Sequence, residues 1–454
     1  MTRFTSLSYE DPRELVFGRA KQPMRYGLDL EVGAGRVVPE LKYWPSRGAE
    51  EAGKLVEEFG KITRDVLERA VDLGMEALQL ETELNYKATM QPKLAREIVE
   101  TQRSIMEDYH SEHGIALALR VTVADIRWSR QISRDVALAL MMEAFEEVAA
   151  AGADVLSIES IGGKEVFDYS IVRGDLEGIA LSLGILAPID VERLWREVVR
   201  IAARHGAVAG GDTACGFANT AMKLAGGFVH RMMPHTLAAV VRAMSISRTL
   251  KAYEVGARGP GKDCAYENVA IKAITGYPIS MEGKTSAVAH SSLVGNVAAA
   301  TCDLWSNEQV ENLKLFGGTG PQVFLEILHY DCELMNAALR MRRETILRNL
   351  MVESDAWKDP QALILAPLFA WEIASAVVKE SDDYRRALRA GIKALQLIEV
   401  EWRKGRLRMD DREAGYMLRL KREFEHLPLD AEDLLEKADY YESRVSSFNL
   451  SDYL

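Results

Sequence analysis

Cysteine is scarce in this chain of 454 residues, which carries only Cys215, Cys264, Cys302 and Cys332. A secreted disulfide framework is denser and sits in a much smaller chain, so the expected state is reduced thiols that bind metal or fill the core. No run of about 18 uncharged apolar residues exists, so no membrane-spanning segment is expected. The opening stretch from Met1 to Pro12 lacks the apolar centre of a signal peptide, and the expected location is cytoplasmic. Basic charge is not in excess: the net charge is −12, which argues against a general affinity for nucleic acid. A third glycine is missing as well. Residues 27–36 contain Gly33-Ala-Gly35 but neither the spacing nor the helix start of a dinucleotide fingerprint. Asp108-Tyr-His110-Ser-Glu-His-Gly114 has its glycine one place late for a corrinoid-binding signature, and it ends a helix. The chain is therefore not expected to hold a corrinoid itself. Internal repeats and low-complexity tracts are also lacking.

What remains is ordinary globular material, 48% apolar and 27% charged, arranged as an alternation. Residues 1–50 are rich in turns and read as a loop or hairpin segment packed on the main body. Helical periodicity over 50–73, 93–110, 135–151, 191–205 and 236–249 then alternates with short apolar strands at 77–80, 115–123, 155–159, 207–210, 250–255 and 279–282, with further strands expected near 297–306 and 313–320. Strict alternation implies right-handed crossovers and a parallel sheet. The number of units predicts a closed (β/α)8 TIM barrel over residues 51–330. Residues 331–454 read as a helical extension, with apolar positions three or four apart.

In such barrels the C-terminal ends of the strands carry the chemistry. Glu159 ends one expected strand, Asp212 and Cys215 follow the next, and Cys264 follows the one after. Two thiolates and a carboxylate make three protein ligands for Zn²⁺ and leave its fourth position open, the pattern of a catalytic metal site. Other polar groups at expected strand ends are Glu81, Glu83, Asp125, Arg127, Glu282, Lys284, His290, Asn307 and Glu308. For each alone, a structural ion pair or cap is the plainer reading. Glu81, Asp125 and His290 are the candidate proton donors.

Longer motifs add a resemblance. Leu156-Ser-Ile-Glu-Ser-Ile-Gly-Gly-Lys-Glu-Val-Phe-Asp-Tyr169, Gly211-Asp-Thr-Ala-Cys215, Ala257-Arg-Gly-Pro-Gly-Lys-Asp-Cys-Ala-Tyr-Glu-Asn268 and Ile274-Thr-Gly-Tyr-Pro-Ile-Ser-Met-Glu-Gly-Lys-Thr285 resemble the zinc-containing catalytic subunit of the methanol:corrinoid methyltransferases of methylotrophic methanogens and some acetogens. The resemblance implies a (β/α)8 barrel, zinc on Glu159, Cys215 and Cys264, and a separate corrinoid protein as methyl acceptor. It also implies transfer of the methyl group of methanol to cob(I)amide. The sequence leaves both a homodimer and a hetero-oligomer with the corrinoid protein open. Val121, where the family pattern has a histidine, and Gly317-Gly-Thr-Gly-Pro-Gln322, in place of a Thr-rich version, depart from it. They keep open another small methoxy or hydroxy methyl donor; a catalytically silent homologue that only docks the corrinoid protein is a separate alternative, and the presence of Glu159, Cys215 and Cys264 counts against it.

Overall fold

A computed structural model describes residues 2–43, 52–129, 131–226, 232–262, 267–289, 293–309, 314–315 and 318–454. Cys264 and His290 lie outside them.

The chain opens with an antiparallel hairpin, β1 (Arg19–Tyr26) and β2 (Leu30–Ala34). Gly27 begins its turn with φ +63°, and a Cβ there would lie 2.6 Å from the Leu117 carbonyl oxygen, so only glycine fits. Seven parallel strands follow: β3 (Val38–Tyr43), β4 (Ala77–Glu83), β5 (Ala116–Val123), β6 (Val155–Ile158), β7 (Val208–Asp212), β8 (Ser280–Glu282) and β9 (Leu304–Gln309). Their order is β7-β6-β5-β4-β3-β9-β8. Between β7 and β8 the curled sheet is joined by an irregular segment. The Arg258 amide donates to the Ala209 carbonyl at 2.9 Å, and the Ser280 amide donates to the Gly261 carbonyl at 2.9 Å. The result is a TIM-barrel-like α/β fold, as expected.

Alternation along each strand sorts the side chains. Leu41, Tyr43, Leu78, Leu80, Leu117, Leu119, Leu156, Ile158, Met281 and Trp305 face outward into the main apolar core beneath the helices. The inward positions are stacked in levels, as barrel interiors are. The floor is an apolar cluster of Tyr26, Leu30, Val32, Val38, Ala77, Ala118, Val155 and Leu304, plugged from below by the hairpin. Above it Arg120 donates to Glu40 at 2.8 Å, to Ser157 at 2.9 Å and to the Pro260 carbonyl at 2.9 Å. The top level holds Lys42, Glu81, Thr122 and Glu282, all buried.

Three expectations about strands are corrected. Residues 250–255 are not a strand: the helix His235–Glu254 runs through almost all of them. Every residue from Thr236 to Glu254 is buried, and a helix enclosed on all sides shows no amphipathic stripe by which to recognise it. Conversely β3, which pairs with β4 and β9 near the middle of the sheet, lies in residues read as a loop segment. Its Pro39, Glu40 and Lys42 argue against a central strand by propensity alone. The expected pair of strands after residue 297 is one strand, β9, preceded by the 3-10 turn Val297–Thr301 and followed by a two-residue hairpin, Lys314–Leu315 with Gly318–Thr319.

The helix Gly320–Arg340 packs on β3 and β9, so the helical tail is continuous with the barrel wall. Glu413 in the tail accepts from the amides of His235 and Thr236 at 2.6 and 3.1 Å, supplying acceptors to the first turn of the enclosed helix. The last turn of the chain comes back to the barrel mouth, where the Tyr453 hydroxyl accepts from the Gly163 amide at 2.7 Å. Among the described residues, no helix is long and apolar enough to cross a membrane.

Candidate active site

Glu159 stands one residue past β6, and Cys215 three residues past β7; Ile158 and Asp212 are register partners in those neighbouring strands. The structure thus brings these two predicted ligands to adjacent strand ends. Cys215 is fully buried and opens the helix Cys215–Ala225. Gly211 lies where the register of β7 shifts against β6, with φ +95°, and a Cβ there would meet the Tyr253 hydroxyl at 2.9 Å. By contrast Cys302 and Cys332 are free and buried, with burial pushing both thiols well up. They fill the core.

The centre of the mouth is a lysine that sequence reasoning did not single out. Lys262 Nζ lies 2.9 Å from Glu81, 3.1 Å from Glu83 and 2.8 Å from Glu159. Lys42 pairs with Glu83 and lies 3.9 Å from Glu282. An ammonium has three N–H donors, so three carboxylates use all that Lys262 has. Burial pushes its pKa down, but Glu159, Glu81 and Glu83 outweigh this and hold it well above the usual lysine value. Burial also raises Glu81 and Glu83, yet Lys262 and Lys42 more than offset it: Glu81 falls below the usual carboxylate range and Glu83 to about 2. At Glu159 burial wins over Lys262, and its carboxyl is raised. Its side chain is 26% exposed, against 1% for Glu81, so Glu159 is the acid that opens on the mouth.

The predicted proton donors separate clearly. Glu81 accepts from the Thr122 hydroxyl at 2.8 Å, and its Oε2 is buried without a hydrogen-bond partner among the described residues. Asp125 also lies near the mouth, accepting from the Ile161 amide at 3.0 Å. Both its oxygens are held by Arg127, at 2.9 and 2.5 Å, and Arg127 also grips Asp190. It is a structural anion. Lys284 is drawn outward by Asp331 at 2.8 Å, and Asn307 accepts from Thr285 at 3.2 Å. Val121, treated above as a pocket departure, faces the helical shell and is wholly buried in the main core; it does not border the site. Thr319 caps the helix Gly320–Arg340 in a reciprocal capping box with Gln322.

The donor chemistry suits a borderline-soft cation. A half-open carboxylate and a helix-initial cysteine stand at neighbouring strand ends, and Glu81, which shares Lys262 with Glu159, has one oxygen without a hydrogen-bond partner among the described residues. Among the described residues, no group of three or more acids, histidines or cysteines forms a metal cluster by itself; Cys264 falls outside that set.

Barrel and mouth together define an α/β-barrel protein whose polar site lies at the C-terminal ends of its strands. Comparison with known proteins narrows the class. The family model described as methanol-cobalamin methyltransferase B subunit matches residues 1–454. A protein of Methanosarcina barkeri (strain Fusaro / DSM 804) named methanol--corrinoid protein co-methyltransferase is 44% identical over 457 residues, 99% of each chain. The crystal structure of the methanol:cobalamin methyltransferase complex MtaBC from Methanosarcina barkeri superposes with a TM-score of 0.96 at 43% identity, covering 100% of both chains. The chain belongs to the methanol-cobalamin methyltransferase B subunit family.

Proposed function

We propose that this protein transfers the methyl group of methanol to the cob(I)amide of a separate corrinoid protein, using Zn²⁺ held by Glu159, Cys215 and Cys264. The observation that carries the reading is the placement of Glu159 and Cys215 at the ends of two neighbouring barrel strands. The family relationship supports the methyl donor and the partner. Methanol has a poor leaving group, and a zinc ion in this site would supply Lewis acidity toward the alcohol oxygen.

The chain's own residues do the rest. Lys262 fixes the carboxylates of Glu81, Glu83 and Glu159 around one point and, with its donors used, orients acids without reaching for substrate. Glu81 Oε2 has no hydrogen-bond partner among the described residues, and Glu81 is the group assigned to hydrogen-bond the alcohol and handle its proton. The apolar floor and the hairpin beneath it shut the barrel to water from below. The corrinoid protein would close it from above, which strengthens every electrostatic contact inside.

The test is the zinc content of purified protein beside Cys215→Ser and Cys264→Ser, with methanol-dependent methylation of cob(I)amide on a corrinoid protein. About one zinc per chain, lost together with activity in both variants, is the expected result. Full zinc with no methanol activity would point to another small methyl donor. Zinc-free protein after reconstitution would leave a docking homologue.

A further inference from the structure

Two buried carboxylates outside the Lys262 cluster tie together the segments bearing the expected ligands. Asp212 is fully buried at the end of β7. Its Oδ1 accepts from the amides of Ser160 at 3.2 Å and Thr213 at 2.7 Å, and from Arg248 Nη2 at 2.9 Å. Its Oδ2 accepts from the Ser160 hydroxyl at 2.6 Å and Trp195 Nε1 at 2.7 Å. Ser160 directly follows Glu159, and Thr213 lies two residues before Cys215. Arg248 completes the link: it donates to the Ser160 hydroxyl at 2.5 Å and its guanidinium lies 5.4 Å from the centre of the Phe217 ring, on the helix that Cys215 opens.

Glu267 holds the same segment from the other side. Its Oε1 accepts from the Ala214 amide at 2.8 Å, the Thr249 hydroxyl at 2.7 Å and the Thr213 hydroxyl at 3.4 Å. In sequence it stands three places past Cys264. Neither acid is free to bind metal through the oxygens so engaged. Each instead converts a flexible strand end into one with a single position. Five donors on one fully buried carboxylate are more than charge balance requires, since Arg248 alone neutralises it.

We infer that Asp212 and Glu267 are positioning residues that set the separation of Glu159 and Cys215 to suit the metal. The inference rests on the zinc reading above. Groups that orient ligands from behind typically change metal affinity by about 10–100-fold when altered. Asp212→Asn keeps the shape of the side chain but replaces one accepting oxygen with a donor, so Ser160 is no longer held from both its amide and its hydroxyl.

The experiment is zinc affinity by competition with a chromophoric chelator, plus the visible spectrum of the Co²⁺-substituted protein, which reports ligand geometry. Wild type is compared with Asp212→Asn, Ser160→Ala and Thr249→Val. The expected result is roughly 10–100-fold weaker zinc in Asp212→Asn, smaller losses in the other two, and a shifted cobalt spectrum. A folded Asp212→Asn with wild-type affinity and an unchanged spectrum would overturn the inference and make the network ordinary core. Should that variant not fold, unaltered affinity and spectrum in both Ser160→Ala and Thr249→Val overturn it equally. Wild type that takes up no zinc defeats the metal reading itself, an outcome distinct from wild type that binds while the variants match it.

Discussion

The floor and the mouth of the barrel are built from the same strands by the same alternation, yet they are chemically opposite. Val38, Ala77 and Val155 point into an apolar cluster at one end. Four residues on, Lys42, Glu81 and Glu159 stand among ion pairs at the other. The floor gains stability from removing apolar surface from water. The mouth gives some of that up, because desolvated charges cost several kcal/mol each unless well paired. Lys262 and Lys42 limit the loss by compensating the acids, while Glu81 Oε2 has no hydrogen-bond partner among the described residues. Buried polarity concentrated at one end, with an unsatisfied oxygen in it, marks where the fold serves chemistry in place of stability.

Variants at the two ends should therefore fail differently. The largest effect is expected from Cys215→Ser, which should lose zinc and lower methanol-dependent methylation by about two orders of magnitude or more, with the fold retained by circular dichroism. Retained zinc would break the contrast. Lys262→Met comes next. Removing the cation shared by Glu81, Glu83 and Glu159 leaves buried acids uncompensated and should cost about 3–5 kcal/mol in urea unfolding; a loss below 1 kcal/mol would mean that water already screens the mouth. At the floor, Leu30→Ala should cost about 2–5 kcal/mol by loss of transfer energy and creation of a cavity, while zinc stoichiometry stays at the wild-type value. A drop in zinc there would show that the two ends are coupled.

The smallest effect concerns acid. Glu83 is depressed from 4.5 to about 2 in the folded chain. A carboxylate with a depressed folded value contributes stability that is present above its unfolded value and is lost as pH falls through the folded one. Stability should therefore decline between about pH 4.5 and 2 partly through this group. Glu83→Gln should flatten that decline in urea midpoints measured from pH 6 to 3. An acid limb as steep as wild type would assign it to other carboxylates.

Parts of this contrast could be read from sequence because they are local. The strands at 77–83, 116–123, 155–158 and 208–212 are short runs rich in apolar residues between helical periods, and Glu159 and Cys215 fall just past two of them. Other parts were hidden because the local signal pointed elsewhere. β3 presents Glu40 and Lys42 inward where a buried strand normally shows apolar residues, so its alternation looked like a polar loop. The end of the enclosed helix His235–Glu254 looked like a strand because packing on all its sides erased the helical stripe. Lys262, in a glycine- and proline-rich stretch, gave no hint of three acids around it.

The sequence by itself determined the alternation of strand and helix, hence a parallel barrel, and the residues whose position past a strand end and donor chemistry suit a metal. Those properties depend on neighbours along the chain. Only the tertiary structure decided that Val121 faces the helices, that Asp125 belongs to Arg127, that Lys262 gathers Glu81, Glu83 and Glu159, and that Asp212 joins Ser160 to the Cys215 segment. Each is a through-space contact between residues far apart in sequence. Its strength is set by burial and by distances of a few ångströms, which exist only once the barrel has closed.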